Sequence, residues 1–495
     1  MNDTTSDFLR PLHHTLLIAL IAAAGALLLA GLQGLRPEAY WWHVAVGKFT
    51  AHWSAVPDEQ IFNYTVAPEQ LWVHTEWLGT LILARLHELA GAELSLLVRN
   101  ALLASTVAIV TWAVSRRHES LPAIAVPGAI ATGLFVFFAG VEPAVLALPL
   151  AAFAVVCSFR LLDNPHQFWW ALPLPLVILA VINLHFPTAI ALIAVGLVIC
   201  AEMVRRRRNS DHKSRTTAAA VIAASSLVCI FGFAYGPSYW STAFYFAFHS
   251  PISPTSLVVL AIAAVATGCL PRHPNRTAVA TILAATAIPA LFAPTTIPLF
   301  GVAAALAIAP FFDAVDEDTS PFRPRKRHLA IAVVLLAAGV ALQPGTITRA
   351  PVTTALNSEL RIDPPLAGVM SADRPLRCAE ELRRTGRFPR VFHEGADAGF
   401  LLYHLLDPET PHIPLFDDPR SLTTAEDLQR ARNLLVYADD LTLLEDHSVD
   451  AVVIPREKYP ALVEALKLHP DWYDLRPHDN GPYTCYLNTT ARTQP

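Results

Sequence analysis

The chain has 495 residues, 54% hydrophobic and only 16% charged, with a formal net charge of -5. Apolar runs recur from the N-terminus to about residue 343 and mean hydropathy is +0.41, which excludes a single soluble core and describes a polytopic helical membrane protein in contact with the lipid bilayer. The small net charge hides an uneven distribution of acidic and basic residues, and nothing in that distribution points to nucleic acid.

The candidate spans are 14–35, 94–115, 121–139, 143–162, 168–185, 187–204, 217–236, 255–270, 277–293, 295–312 and 328–343, about eleven in all. Pro37 marks the end of the first, because the residue before a proline is pushed out of helical geometry. That span lacks the small-residue cleavage site of a removed signal peptide and is expected to stay as an anchor.

Lys and Arg set the orientation. Arg10, Arg116 and Arg117, Arg205 to Arg208 with Lys213 and Arg215, Arg272 and Arg276, and Arg323, Arg325, Lys326 and Arg327 all fall on the cytoplasmic side when the N-terminus is cytoplasmic. The segment 72–90 carries Glu76, Arg85, His87 and Glu88, so it reads as an interfacial or re-entrant helix within one long external loop, 36–93. This register places the tail outside as well.

The division expected is a transmembrane domain, 1–349, and an external domain, 350–495. The second has ordinary soluble composition: helix 373–386, strand 389–393, helix 396–406, strand 412–416, helices between 423 and 446, strand 449–454, helix 458–468, and a hairpin near 472–487 turning at Asn480-Gly481. Strands alternating with helices predict a small α/β domain. It has no glycine-rich nucleotide fingerprint.

Cys157, Cys200, Cys229 and Cys269 fall in apolar spans, where a thiol serves as a small apolar filler. Cys378 and Cys485 fall in the tail, where they are either one disulfide or two free thiols. No Cys/His spacing argues for structural zinc.

Chemistry-bearing residues concentrate in the first loop, from Pro37-Glu38-Ala39-Tyr40-Trp41-Trp42-His43 to Trp72-Val73-His74-Thr75-Glu76-Trp77-Leu78. A helix starting at Pro37 puts Glu38, Trp41 and Trp42 on one face, a carboxylate beside two indoles. A helix from 72 would set Trp72 with Glu76 and His74 with Trp77. Indoles at a membrane boundary form an aromatic belt or stack on sugar rings; a partly desolvated carboxylate beside them is either solvated surface, a general base for an acceptor hydroxyl, or a ligand for a divalent cation. Asp58, Glu59 and Glu69 read as solvated turn residues.

The order WWH, then Ile61-Phe62-Asn63-Tyr64-Thr65, then W-x-H-x-E-W-L resembles the first external loop of bacterial multispanning proteins with GT-C-type glycosyltransferase architecture. Asn183-Leu184-His185 is similar to that group's Asn-Leu-His, Ala234-Tyr235-Gly236 to its Pro-Tyr-Gly, and Pro414-Leu415-Phe416-Asp417-Asp418-Pro419-Arg420 to a strand and Asp-Gly-Arg turn in its external domain. The resemblance implies transfer of a sugar from a polyprenyl-phosphate carrier to an envelope glycan, lipid or protein acceptor. It implies an acidic residue of that loop as base or metal ligand, for which Glu38 and Glu76 are the catalytic candidates, leaves the cofactor open with a divalent cation as one candidate, and implies a bacterial inner membrane with the tail in the periplasm. Trp41, Trp42, His43, His74, Trp77 and His185 are the candidate substrate-binding residues.

The leaving phosphate needs cationic or hydrogen-bonding partners, for which His185 is the first candidate and His249 and Arg349 are weaker ones. Asp417, Asp418 and Arg420 either satisfy a local turn or help recognise an acceptor. The chain departs from the family pattern at several charges: Ala39 and Gln60 stand where Asp is expected, Glu142-Pro143 replaces an Arg-Pro, and Thr295 and Thr296 stand where an Arg is expected. These departures keep two other readings open, a catalytically inactive envelope protein that binds a lipid-linked glycan or a protein partner, and a transporter or flippase.

Overall fold

A computed structural model describes residues 12–31, 37–57, 62–65, 73–118, 120–138, 140–164, 167–206, 212–236, 239–241, 243–244, 255–270, 275–315, 333–334, 336–337, 374–385, 389–406, 415–416, 425–476 and 481–489. The fold is mostly helical, with a small C-terminal sheet. It divides into two compact units, the first comprising 1–33 with 93–365 and the second 34–92 with 366–495. The expected division at 349/350 lies outside the described residues, as does most of the expected span 328–343.

The first unit holds α1 (Leu12–Gly31), the later part of α3 (Trp77–Ser115), α4 (Leu121–Phe138), α5 (Pro143–Asp163), α6 (Leu174–Leu184), α7 (Phe186–Arg206), α8 (His212–Gly232), α9 (Thr255–Cys269), α10 (Arg276–Phe292) and α11 (Ile297–Val315). Among the described residues, five helices are long and apolar enough to cross a membrane: His14–Gly31, Trp77–Ser115, Pro143–Asp163, Phe186–Arg205 and Pro294–Phe312. The other apolar helices, Leu121–Phe135, Phe168–Leu184, Thr216–Cys229, Leu257–Cys269 and Arg276–Phe292, are shorter than these five. At 168–185, for example, a 3-10 turn over Phe168–Ala171 and Pro173 leave eleven α-helical residues.

Apolar side chains alone do not join these helices. Arg99 is 2% exposed within α3, and its guanidinium donates to the Ala30 carbonyl at 3.0 Å and the Asn100 side-chain oxygen at 2.9 Å. The Asn183 amide donates both to the Leu179 carbonyl in its own helix and to the Gly232 carbonyl of α8, each at 3.0 Å. Buried polar groups satisfied in this way hold one helix to the next where water cannot compete.

The second unit holds α2 (Pro37–Trp53) and the first turns of α3, together with α12 (Leu376–Arg384), β1 (Val391–His393), α13 (Ala398–Leu405), α14 (Ala425–Tyr437), α15 (Thr442–Asp446), β2 (Ala451–Pro455), α16 (Pro460–Leu468), β3 (Trp472–Asp474) and β4 (Tyr483–Asn488). α3 changes direction at Ala90 and Gly91; Gly91 has φ 69°, a left-handed value that favours glycine. The sheet order is β1-β2-β4-β3, with β1 parallel to β2 and both other pairings antiparallel. Phe392, Leu434, Val452, Ile454, Leu462 and Tyr486 form the core of this unit, and Tyr64 from the early segment packs against it. Of the expected strand at 412–416 only Leu415 and Phe416 are described, and Leu415 bridges both Asn63 and Val391. Residues 407–414 and Asn480 at the expected turn lie outside the described residues.

Candidate functional site

α2 begins at Pro37, whose missing N–H costs nothing in the first helical turn. Glu38 therefore lies in that turn, but its side chain is outside the described residues. One turn after His43, Gly47 lets α2 lie directly on α3: a Cβ there would stand 2.0 Å from the Thr80 carbonyl oxygen and 2.9 Å from the Ala84 Cβ. This close approach sets the geometry of the carboxylate opposite.

The helix expected from 72 starts at Trp77 instead, and residues 73–76 are irregular or turn. The Glu76 carbonyl accepts the first helical bond, from the Thr80 N–H at 2.9 Å, so Glu76 occupies the N-cap position of α3. Exposed N–H groups and the positive end of the helix dipole favour a carboxylate there. His43 Nδ1 lies 3.9 Å from Glu76 Oε2, with side-chain exposures of 9% and 11%. His74 is fully buried, and its Nε2 lies 2.8 Å from the Thr80 hydroxyl. His74 and Glu76 thus do not share a helical face with Trp77; they sit in the segment leading into it. Trp72 lies outside the described residues.

The paired tryptophans are buried rather than displayed. Trp41 packs edge-on against Phe400, 5.5 Å between ring centroids, and lies 4.7 Å from Tyr403, both on α13. Tyr40 Oη lies 2.7 Å from His87 Nδ1, and His87 Nε2 lies 3.2 Å from Tyr403 Oη, giving a Tyr-His-Tyr chain beside Trp41. Trp42 packs edge-on against Phe62 at 5.5 Å. Trp77 is half-buried and lines a groove of about 480 Å³ with Thr50, Leu81, Arg85 and Leu89.

The Ile61-Phe62-Asn63-Tyr64-Thr65 motif and the Pro414-Leu415-Phe416 motif meet. The Tyr64 N–H donates to the Leu415 carbonyl at 3.0 Å, the Leu415 N–H to the Phe62 carbonyl at 3.2 Å, and the Thr65 hydroxyl to the Phe416 carbonyl at 3.1 Å. The Phe416 N–H in turn donates to the Val391 carbonyl of β1. Burial pushes the Tyr64 phenol well above its ordinary pKa, and the nearby Asp450 charge adds to this.

A second polar cluster lies within the first unit. His185 ends α6 and is 1% exposed. Its Nδ1 accepts the Thr188 N–H at 3.3 Å and lies 2.7 Å from the Thr188 hydroxyl. In a neutral imidazole the proton then sits on Nε2, which donates to the Thr295 hydroxyl at 3.1 Å. Glu142, at the N-cap of α5, lines a small pocket with Gly140, Thr188 and Thr295. Three positions singled out by the sequence, Glu142, His185 and Thr295, therefore meet at one set of helix ends.

Asp58, Glu59, Gln60, Glu69, His249, Arg349, Asp417, Asp418 and Arg420 lie outside the described residues. Among the described residues, no group of three or more His, Cys, Asp or Glu side chains could hold a metal ion. Sequence reading missed Gly47, Thr80 and Thr188. Thr188 is three residues past His185, the spacing at which a side chain at a helix start reaches back, so a capping search could have found it; Thr80 bonds His74 and the Trp77 carbonyl and has no such local signature.

It also missed a cluster in the second unit, where Asp397 Oδ1 receives Arg374 Nη1 at 2.9 Å and Tyr483 Oη at 3.0 Å. Those residues belong to separate elements far apart in the chain, with no local signature. No protein-family model matches the chain, and comparison with curated proteins finds no match.

Proposed function

We infer that this chain is a GT-C-type membrane glycosyltransferase, moving a sugar from a polyprenyl-phosphate carrier to an envelope glycan, lipid or protein acceptor. The observation that carries the reading is the His43 and Glu76 pair, 3.9 Å apart and nearly buried at the start of α3. A carboxylate removed from bulk water is a stronger base than a solvated one, and an imidazole alongside can orient it or take up the proton it removes. In the proposed reaction Glu76 accepts the acceptor hydroxyl proton, the oxygen attacks the anomeric carbon, and polyprenyl phosphate leaves.

The arrangement proposed for the membrane is about eleven spans, N-terminus cytoplasmic and second unit periplasmic. Residues 34–92 and 366–495 fold as one unit, which supports placing the first loop and the tail on the same side. The Lys and Arg clusters between later spans support the cytoplasmic assignment of the opposite side.

A second reading, a binding protein without transfer activity, is favoured by the buried indoles. Trp41 and Trp42 are 6% and 2% exposed, so their faces are already occupied by protein rings. Cells lacking the protein, complemented with wild type or Glu76→Gln, separate the readings through mass spectrometry of lipid-linked sugars and envelope glycans. Transfer predicts loss of one glycosylated product in both the deletion and the Glu76→Gln strain, with the protein present at normal level. A Glu76→Gln strain whose glycans match wild type refutes the catalytic role.

A further inference from the structure

We propose that Cys378 and Cys485 form a disulfide that ties the first helix of the C-terminal segment to its last strand. The other four cysteines, Cys157, Cys200, Cys229 and Cys269, lie in the apolar helices of the first unit. Cys378 on α12 and Cys485 on β4 are both completely buried and unbridged, and α12 packs against β4 with the two side chains adjacent. Cys485 is held in the sheet interior, opposite Val453 of β2, and its carbonyl accepts the Leu475 N–H at 2.9 Å.

The thiolate of either cysteine displaces one sulfur from the disulfide of an oxidising dithiol-disulfide exchange protein, giving a mixed disulfide and one thiolate on the oxidant. The other cysteine then loses its proton and attacks the sulfur of the first. The intramolecular bond forms, the mixed bond breaks, and the oxidant leaves as a dithiol: two cysteine thiols oxidised, one disulfide reduced. Because both sulfurs are buried in the finished unit, exchange takes place before α12 closes onto β4.

The in-cell part rests on the periplasmic placement of the second unit, and the experiment separates the two. Full-length protein is alkylated in denaturant straight from cells, digested without reduction and analysed by mass spectrometry. In parallel, reduced purified protein is equilibrated in a glutathione redox buffer and treated identically. The expected result is a reducible peptide pair joining Cys378 to Cys485 in both samples, with the four other cysteines alkylated. A bridge formed in the buffer and absent from cells upholds the pairing and overturns the periplasmic placement. Alkylation of both Cys378 and Cys485 in both samples, or bridging of either to a different cysteine, overturns the proposal. Cys378→Ala with Cys485→Ala should unfold at the same temperature before and after reductant, whereas the wild type should lose thermal stability on reduction.

Discussion

Asp397 gives the second unit a definite pH dependence. It is 1% exposed at the start of α13; Oδ1 takes the donors of Arg374 and Tyr483, while Oδ2 is buried without a hydrogen-bond partner among the described residues. Loss of hydration outweighs those donors and pushes the carboxyl from an ordinary 3.8 up to about 6. At 1.36 kcal/mol per tenfold change in proton affinity, that rise corresponds to about 3 kcal/mol.

The folded state binds this proton more tightly than the unfolded state does, so the stabilisation is complete below pH about 4 and is lost as pH rises through about 6. Asp397→Asn keeps a neutral acceptor for Arg374 and Tyr483 and removes the titration. Hydrogen-exchange mass spectrometry of peptides covering β1 and β4, corrected for intrinsic exchange, reads the opening free energy at each pH. The wild type should lose about 3 kcal/mol relative to Asp397→Asn between pH 4 and 7, a comparison that cancels the other titrating carboxylates. A constant difference between the two proteins over that range, or one that grows in the wild type's favour, refutes the reasoning.

Packing predictions at Gly47 and Trp41 test how the early segment is held, with Gly25 as a comparison in the first unit. Gly47→Ala drives a Cβ into the Thr80 backbone, which cannot move aside as a flexible side chain would; overpacking of this kind costs about 1–3 kcal/mol and should lower the thermal midpoint of the full chain. Gly25→Ala in α1, where among the described residues nothing beyond the helix's own backbone lies within 4 Å of the new methyl group, should leave the midpoint unchanged or slightly raised. Trp41→Ala removes the ring packed between His87, Phe400 and Tyr403 and should cost about 3–5 kcal/mol, seen as faster proteolysis within α2. Trp41→Phe should recover most of that loss; equal protease resistance in the wild type and Trp41→Ala would show that α2 is held by other contacts.

Much of this protein is local information. Apolar runs placed the helices of the first unit because a span must satisfy its own backbone within one segment. Pro37 marked the start of α2, and short apolar runs located β1, β2 and β4, because proline sterics and strand preference act over a few residues. The start of α3 was less legible: the Trp72 to Trp77 spacing looks helical, yet the chain turns at Thr75 and Glu76 and the helix begins at Trp77, with the Glu76 carbonyl accepting its first bond.

Tertiary structure decided which faces meet. Nothing near Trp41 in sequence announces Phe400 and Tyr403, and nothing near Phe62 announces Leu415. The same holds for Asp397 with Arg374 and Tyr483. Side-chain types made these residues candidates. Burial between segments hundreds of residues apart determined which became core, which became paired charges, and which kept the means to do chemistry, because long-range contacts are chosen by the free energy of the whole packed unit rather than by any window of chain.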